Sequence, residues 1–371
     1  MKFIYRLFAL LVITGIGISS CGSARSKSSA SSDSSSTGDS QTAVSAVNIS
    51  AENKEEEEES EEDFLASLPP PDADLPVSAF QEIWAYVVAE RESAYKVGMP
   101  ISDIGYFGAE INSYGTLVDV PRRSKLRNFS GRVHLVVACN GRALSHFVLK
   151  PGSDERRKLI ADLLAATKDY DGLQIDFENV GARDGEPYLT FLKELRAGLG
   201  NKMFTVALAA RSRKVADDVY DYEKILPVVD RILVMAYDEH WSTSAPGPIA
   251  SLAWCKRVAD YSLKVIGKEK LVMGLPFYGR AWGRPNHSMA YIYSSIERVI
   301  KENNVKTIRR ENGIPAFDYN ATISVKVYYE DAYSLSARME IYRTMGITAI
   351  GFWRLGQETQ AVWPQIKLDK K

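Results

Sequence analysis

The sequence is short of the residues on which several chemistries depend. It has three cysteines and four histidines in 371 residues. The histidines, at positions 134, 146, 240 and 287, are scattered, and no Cys/His group has zinc-ligand spacing. Metal catalysis therefore finds no support, and no cofactor is expected. Cys139 ends an apolar run and Cys255 falls in a helical pattern 116 residues later, which reads as two separate buried thiols rather than a bridge. No block of Lys and Arg is present, so nucleic acid is not an expected partner. No GxGxxG follows any apolar run, which counts against a dinucleotide fold.

Charge is unevenly placed. Residues 52–63 hold nine acids and one lysine, so the net charge of −1 leaves a mild basic excess spread over the rest. The N-terminus carries Lys2 and Arg6, then LFALLVITGIGI, too short a run to be convincing as a membrane span. Ile18-Ser19-Ser20-Cys21 resembles the bacterial lipoprotein processing box. That resemblance makes residues 1–20 a signal peptide and Cys21 a lipidated N-terminus; an ordinary signal peptide with an incidental cysteine is the alternative. The expected location is the bacterial cell envelope, anchored to a membrane and facing the periplasm or the exterior. Residues 21–75 are Ser-rich, then acidic, then Pro-rich. They cannot bury enough apolar surface to offset chain entropy and read as a spacer with a reach of roughly 40 Å.

From residue 76 to 371 the pattern changes. Eight apolar runs recur at 83–88, 103–111, 133–139, 172–178, 203–210, 231–237, 271–277 and 347–353. Helical periodicity lies between most of them: 153–170 repeats apolar residues at helical spacing, and 187–200 opens on Pro and closes on Gly. Stretches 251–267 and 331–346 behave alike, whereas the first two connections are short on helix. The alternation predicts an α/β fold, a (β/α)8 TIM barrel. The 283–330 stretch leaves open a small insertion between strands seven and eight, or a long helix and loop.

Residues 171–178, DGLQIDFE, put acids into a strand built for burial. Strand side chains alternate, so Leu173, Ile175 and Phe177 share the helix-facing side while Gln174, Asp176 and Glu178 point into the barrel. Buried carboxylates are expensive unless paired, so these acids are either structural or functional. Glu178 ends the strand, where barrel enzymes keep their active sites. Asp176 and Glu178 lie two rises of about 3.3 Å apart on one face. From one face of one strand they cannot reach the two sides of a bond.

Asp171-Gly172-x-x-x-Asp176-x-Glu178 resembles the DGxDxDxE signature of glycoside hydrolase family 18, the chitinase family. Met235-Ala236-Tyr237-Asp238 resembles its MxYD segment, Pro276 to Trp282 its PxYGRxW segment, and Trp353 falls where the family places a Trp beneath the sugar. The stretches DFENV, AYDEHW and FWRLGQE resemble a branch of spore-cortex and peptidoglycan N-acetylglucosaminidases. Gln174 stands where the middle Asp is usual, Ala138-Cys139-Asn140-Gly141 stands where SxGG is usual, and Phe177 replaces a Trp or Tyr. With a like charge missing at position 174, Asp176 is expected to ionise more readily.

The resemblance implies a substrate-assisted, retaining glycosidase acting, as a monomer, on β-linked N-acetylglucosamine in chitin-like or peptidoglycan glycans. Glu178 is then the general acid and later base. Asp176 steadies the acetamido N–H, Tyr237 bonds the acetamido group, and Asp238 supports them. Trp353 floors the sugar, and Asp171, Gln174, Asn140, Arg280, Trp282 and Trp241 are implied substrate contacts. Burial and Asp176 are expected to raise the pKa of Glu178. A non-catalytic glycan-binding lipoprotein on the same barrel is the rival reading; the intact Glu178 argues against it.

Overall fold

The computed structural model describes residues 60–71, 73–284, 293–311 and 314–369. Cys21, the leader and the Ser-rich and acidic parts of the expected spacer lie outside the described residues. Eight parallel strands close a ring: β1 Glu82–Val88, β2 Asp103–Ile111, β3 Arg132–Ala138, β4 Gly172–Asp176, β5 Met203–Ala209, β6 Arg231–Met235, β7 Leu271–Pro276 and β8 Ala349–Trp353. Each strand pairs with the next, and β8 pairs with β1 to close the barrel, Ile83 opposite Ile350. The helices are α1 Glu61–Ser67, α2 Arg142–Leu149, α3 Asp154–Ala166, α4 Gly185–Leu199, α5 Tyr222–Ile225, α6 Leu252–Ile266, α7 Tyr293–Glu302 and α8 Ala332–Thr344. Ser153, Ser251 and Asp331 cap α3, α6 and α8, each side chain accepting a backbone N–H of the first turn.

Alternation along each strand builds two cores. Ile83, Ala85 and Val87 of β1, with Leu173 and Ile175 of β4, join the cluster shared with the helices. Trp84, Tyr86, Phe107, Val136, Ala207, Leu233 and Val272 fill the barrel. At its N-terminal end Trp84 stacks on His134 at 4.3 Å, and the buried Asp103 bonds His134 and Arg132. Burial opposes ionisation of Asp103, yet those two partners hold its carboxyl below the usual range.

The β1–β2 and β2–β3 connections carry no α-helix; the first holds the 3-10 turn Glu92–Ala94, the second the short strand Leu117–Val118, antiparallel to β2, and the 3-10 turn Arg123–Leu126. Gly98 with Pro100, and Gly115 with Pro121, break helical continuity there. After β7 the chain forms a small antiparallel insertion: Arg280–Arg284 pairs with Ser324–Tyr328, and Arg309–Glu311 with Ile314–Ala316. It begins at Arg280, three residues before the stretch the sequence marked.

The spacer reading ends too late. Within residues 21–75, α1 is helical, with Phe64 buried and capped by Lys256 at 6.0 Å from its ring. An apolar side chain next to the acid run lets the segment dock on α6, with Glu61 bonded to Arg257.

Candidate active site

The site gathers at the C-terminal ends of the strands. β4 is buried throughout, and Asp176 Oδ1 is buried with no hydrogen-bond partner among the described residues. Phe177 turns outward and stacks on Phe191 at 5.7 Å and Tyr188 at 6.2 Å. Tyr220 then locks the backbone: its hydroxyl donates to Phe177 O (2.7 Å) and accepts from Val180 N–H (2.9 Å). Glu178, between those bonds, is solvent-accessible although protein crowds its carboxyl, which places it in a concavity.

Both carboxyls are held toward the protonated form. Burial raises Asp176 well above the usual carboxylate range, and Glu178 adds repulsion. Burial raises Glu178, and the charge of Asp238 pushes the same way; Asp176 and Glu178 also repel each other, so each opposes the other's ionisation. Gln174 does remove a charge from beside Asp176, but desolvation outweighs that relief.

β6 supplies Tyr237 and Asp238. Tyr237 packs over Gly274, where a Cβ would stand 2.9 Å from the ring, and meets Tyr278 edge-on at 6.3 Å. Burial raises its hydroxyl pKa well above normal, with Tyr86, Tyr278, Asp176 and Glu178 close enough to add to the shift. Asp238 adopts φ 58° and accepts from the Tyr278 hydroxyl and from Arg280 Nη2 at 2.6 Å. Trp353, at the end of β8, leans against Tyr86 and Phe107, each at 5.2 Å.

The candidate residues divide by position. Asp176, Glu178, Tyr237, Asp238 and Trp353 stand at one end of the barrel, with Arg280 fixed to Asp238. Asn140 lies exposed just past β3 on the same face. Trp241 is half exposed on the β6–α6 loop; Trp282 is buried beneath it, donating Nε1–H to Trp241 O at 3.2 Å. Trp282 thus supports the loop from below.

Two implied contacts are corrected. Asp171 precedes β4 at the opposite end of the barrel, where its carboxylate accepts Val133 N–H at 2.8 Å and faces Arg123. The strand between it and Asp176 keeps it from the cleft. Gln174 is fully buried, accepting from the Tyr86 hydroxyl and donating to Thr205 Oγ1 at 3.0 Å. It holds Tyr86 from below.

The sequence reading missed Tyr86, Phe107, Tyr220 and Tyr278. Tyr278 sits within the PFYGRAW stretch, and Tyr86 alternates inward with Trp84, so both carried a signal. Tyr220 lies in an irregular loop and carried none.

The sequence model of glycosyl hydrolases family 18 matches residues 109–358. The chain belongs to this family. Among family 18 relatives, the Bacillus subtilis protein YdhD, named a glycosylase, is 32% identical over 206 residues, covering 52% of this chain and 48% of its own. The cortical fragment-lytic enzyme of Bacillus anthracis is 25% identical over 291 residues, covering 70% of this chain and 66% of its own. The chain thus spans about half to two thirds of these curated relatives. The spore cortex-lytic enzyme SleL of Bacillus cereus superposes with a TM-score of 0.61 at 21% identity, covering 79% of this chain and 74% of that one, a likeness of fold.

Proposed function

We propose that this family 18 protein hydrolyses β-linked N-acetylglucosamine in chitin-like or peptidoglycan glycans, with retention and with the substrate's acetamido group as nucleophile. The observation that carries the reading is the state of the carboxyls. Glu178 is raised and accepts no hydrogen bond among the described residues, fit to give a proton to a leaving oxygen. Asp176, buried on the same face, is placed to steady the acetamido N–H as positive charge develops. An ordinary retaining pair needs a second free carboxylate about 5–5.5 Å away. Asp238 is the acid available, and it is tied to Arg280 and Tyr278, which draw on its lone pairs. The substrate's own acetamido carbonyl is the remaining nucleophile, the substrate-assisted route. Tyr237 supplies a neutral hydroxyl for the acetamido group, and Trp353 an apolar floor.

The test is Glu178→Gln against chitooligosaccharides and purified peptidoglycan, with products identified by mass spectrometry. Turnover should fall at least about a hundredfold with glycan binding retained. A thiazoline analogue of N-acetylglucosamine should inhibit the wild type, and sugars with free amines should not be cleaved. A trapped covalent glycosyl ester would sink the mechanism.

The reading extends to place. A lipidated Cys21 would hold the enzyme on a membrane of the cell envelope, and the spacer would carry the barrel to glycan some tens of ångströms away.

A further inference from the structure

The cleft face carries two arginines that the proposed hydrolysis leaves unused. Arg91 lies just beyond β1, and Arg354 directly follows Trp353 at the end of β8. β1 and β8 are paired neighbours, Ala85 opposite Phe352, so both residues leave the barrel on one face at one corner. The segments stay together beyond the strands: Leu355 N–H donates to Tyr86 O at 3.1 Å, and Gly356 packs on Ala94. Arg354 is half-buried. Burial, and then the like charge of Arg91, loosen its hold on its proton, so the two guanidiniums are close enough to repel.

Neither side chain meets an acid among the described residues. The nearest acids in sequence are engaged elsewhere: Glu90 with Lys125, Glu92 with Tyr106 and Lys125, and Glu358 with Gly356 N–H and the Gln360 side chain. The contrast with other enclosed arginines is sharp. Arg156 is bonded to Glu194, Arg231 to Glu82, Arg280 to Asp238 and Arg338 to Glu330. A half-buried cation beside a second cation is costly without an anion, and a guanidinium fits a carboxylate in a two-point bond. Arg354 adjoins Trp353, so that anion would hang from a sugar close to the one on the Trp floor.

We propose that Arg91 and Arg354 form a carboxylate subsite at the β8–β1 corner of the cleft, selecting acid-bearing N-acetylglucosamine polymers over neutral ones. Neutral chitin offers no such group. A glycan whose alternate sugars carry a lactyl ether offers one, either on the lactyl acid itself or on a peptide attached through it. The inference rests on the hydrolase reading of the same cleft.

The experiment compares kcat/KM on three substrates: a neutral chitooligosaccharide, peptide-free glycan strands with free lactyl carboxylates, and peptide-bearing strands. Wild type should prefer an acid-bearing strand. The ratio of acid-bearing to neutral kcat/KM should drop at least about tenfold in the Arg91→Gln/Arg354→Gln double variant, with Arg354→Lys between. Converting the carboxylates to methyl amides should abolish the wild-type preference. A drop confined to peptide-bearing strands assigns the carboxylate to the peptide; a drop on peptide-free strands assigns it to the lactyl ether. An unchanged ratio overturns the subsite. If wild type cleaves none of the three, the hydrolase reading fails on its own. Calorimetric binding of the peptide-free acidic disaccharide to wild type and double variant then decides the subsite, and equal affinity overturns it.

Discussion

At the scale of single residues, burial keeps the site's paired carboxyls toward their uncharged form. Asp176 has a folded pKa above its unfolded value, so the folded state binds the proton more tightly. Stability from this group is present below the unfolded carboxylate pKa of about 3.9 and is lost as pH rises through the folded value. Asp176→Asn should therefore raise the urea midpoint at pH 7, and the gain should vanish as pH approaches 4. An equal gain at both pH values would show that repulsion and desolvation are not its source. Asp238 pushes Glu178 in the same direction. Asp238→Asn removes that charge and lets Glu178 ionise more easily. The alkaline limb of the kcat profile, where a general acid is lost, should move to lower pH, beside any loss of rate. A limb that stays in place, or moves up, would mean that Glu178 is not the group observed.

At the scale of elements, one buried ion pair ties three segments behind the site. Arg338 of α8 bonds both oxygens of Glu330, at the end of the insertion, and donates to Ala250 O on the β6–α6 loop at 2.6 Å. That loop also carries Asp238 and Trp241. Removing one partner strands a buried charge, so Arg338→Met should cost about 3–5 kcal/mol in chemical denaturation. Adding Glu330→Met should recover part of the loss, because no lone charge is then left behind. A single variant that unfolds at the wild-type midpoint would contradict this account. The strands and long helices of this assembly were legible, since burial imposes periods of 2 and 3.6 on the sequence. α2 and α7 were not marked. α2 is only eight residues long, within a connection that also holds α3. α7 does repeat Ile296, Val299 and Ile300 at helical spacing, a pattern left unassigned within 283–330, which the sequence leaves open as an insertion or a helix and loop.

At the scale of the whole molecule, the sequence separates the barrel from the N-terminal region in composition. The lipid-anchor proposal predicts that Cys21→Ser moves the protein from the membrane to the soluble fraction and leaves activity per molecule unchanged. Fractionation with metabolic labelling by a palmitate analogue checks it. Label on the substituted protein, or an unlabelled soluble wild type, rules the anchor out.

The residue order alone determined the barrel and the pairing of Asp176 with Glu178 at a strand tip, because a strand of period 2 settles which side chains share a face. It also carried the motif residues Tyr237, Asp238 and Trp353. Only the tertiary structure decided which ends of strands face the same way. Asp171 and Asp176 belong to one motif, yet five residues of strand set them at opposite ends of the barrel. It also decided that Asp238, from another strand, adds its repulsion to Glu178, that Gln174 serves Tyr86, and that Arg91 and Arg354, 263 positions apart, share a corner. Those contacts depend on closing β8 against β1, and no local pattern records the partner on the far side of a closed ring.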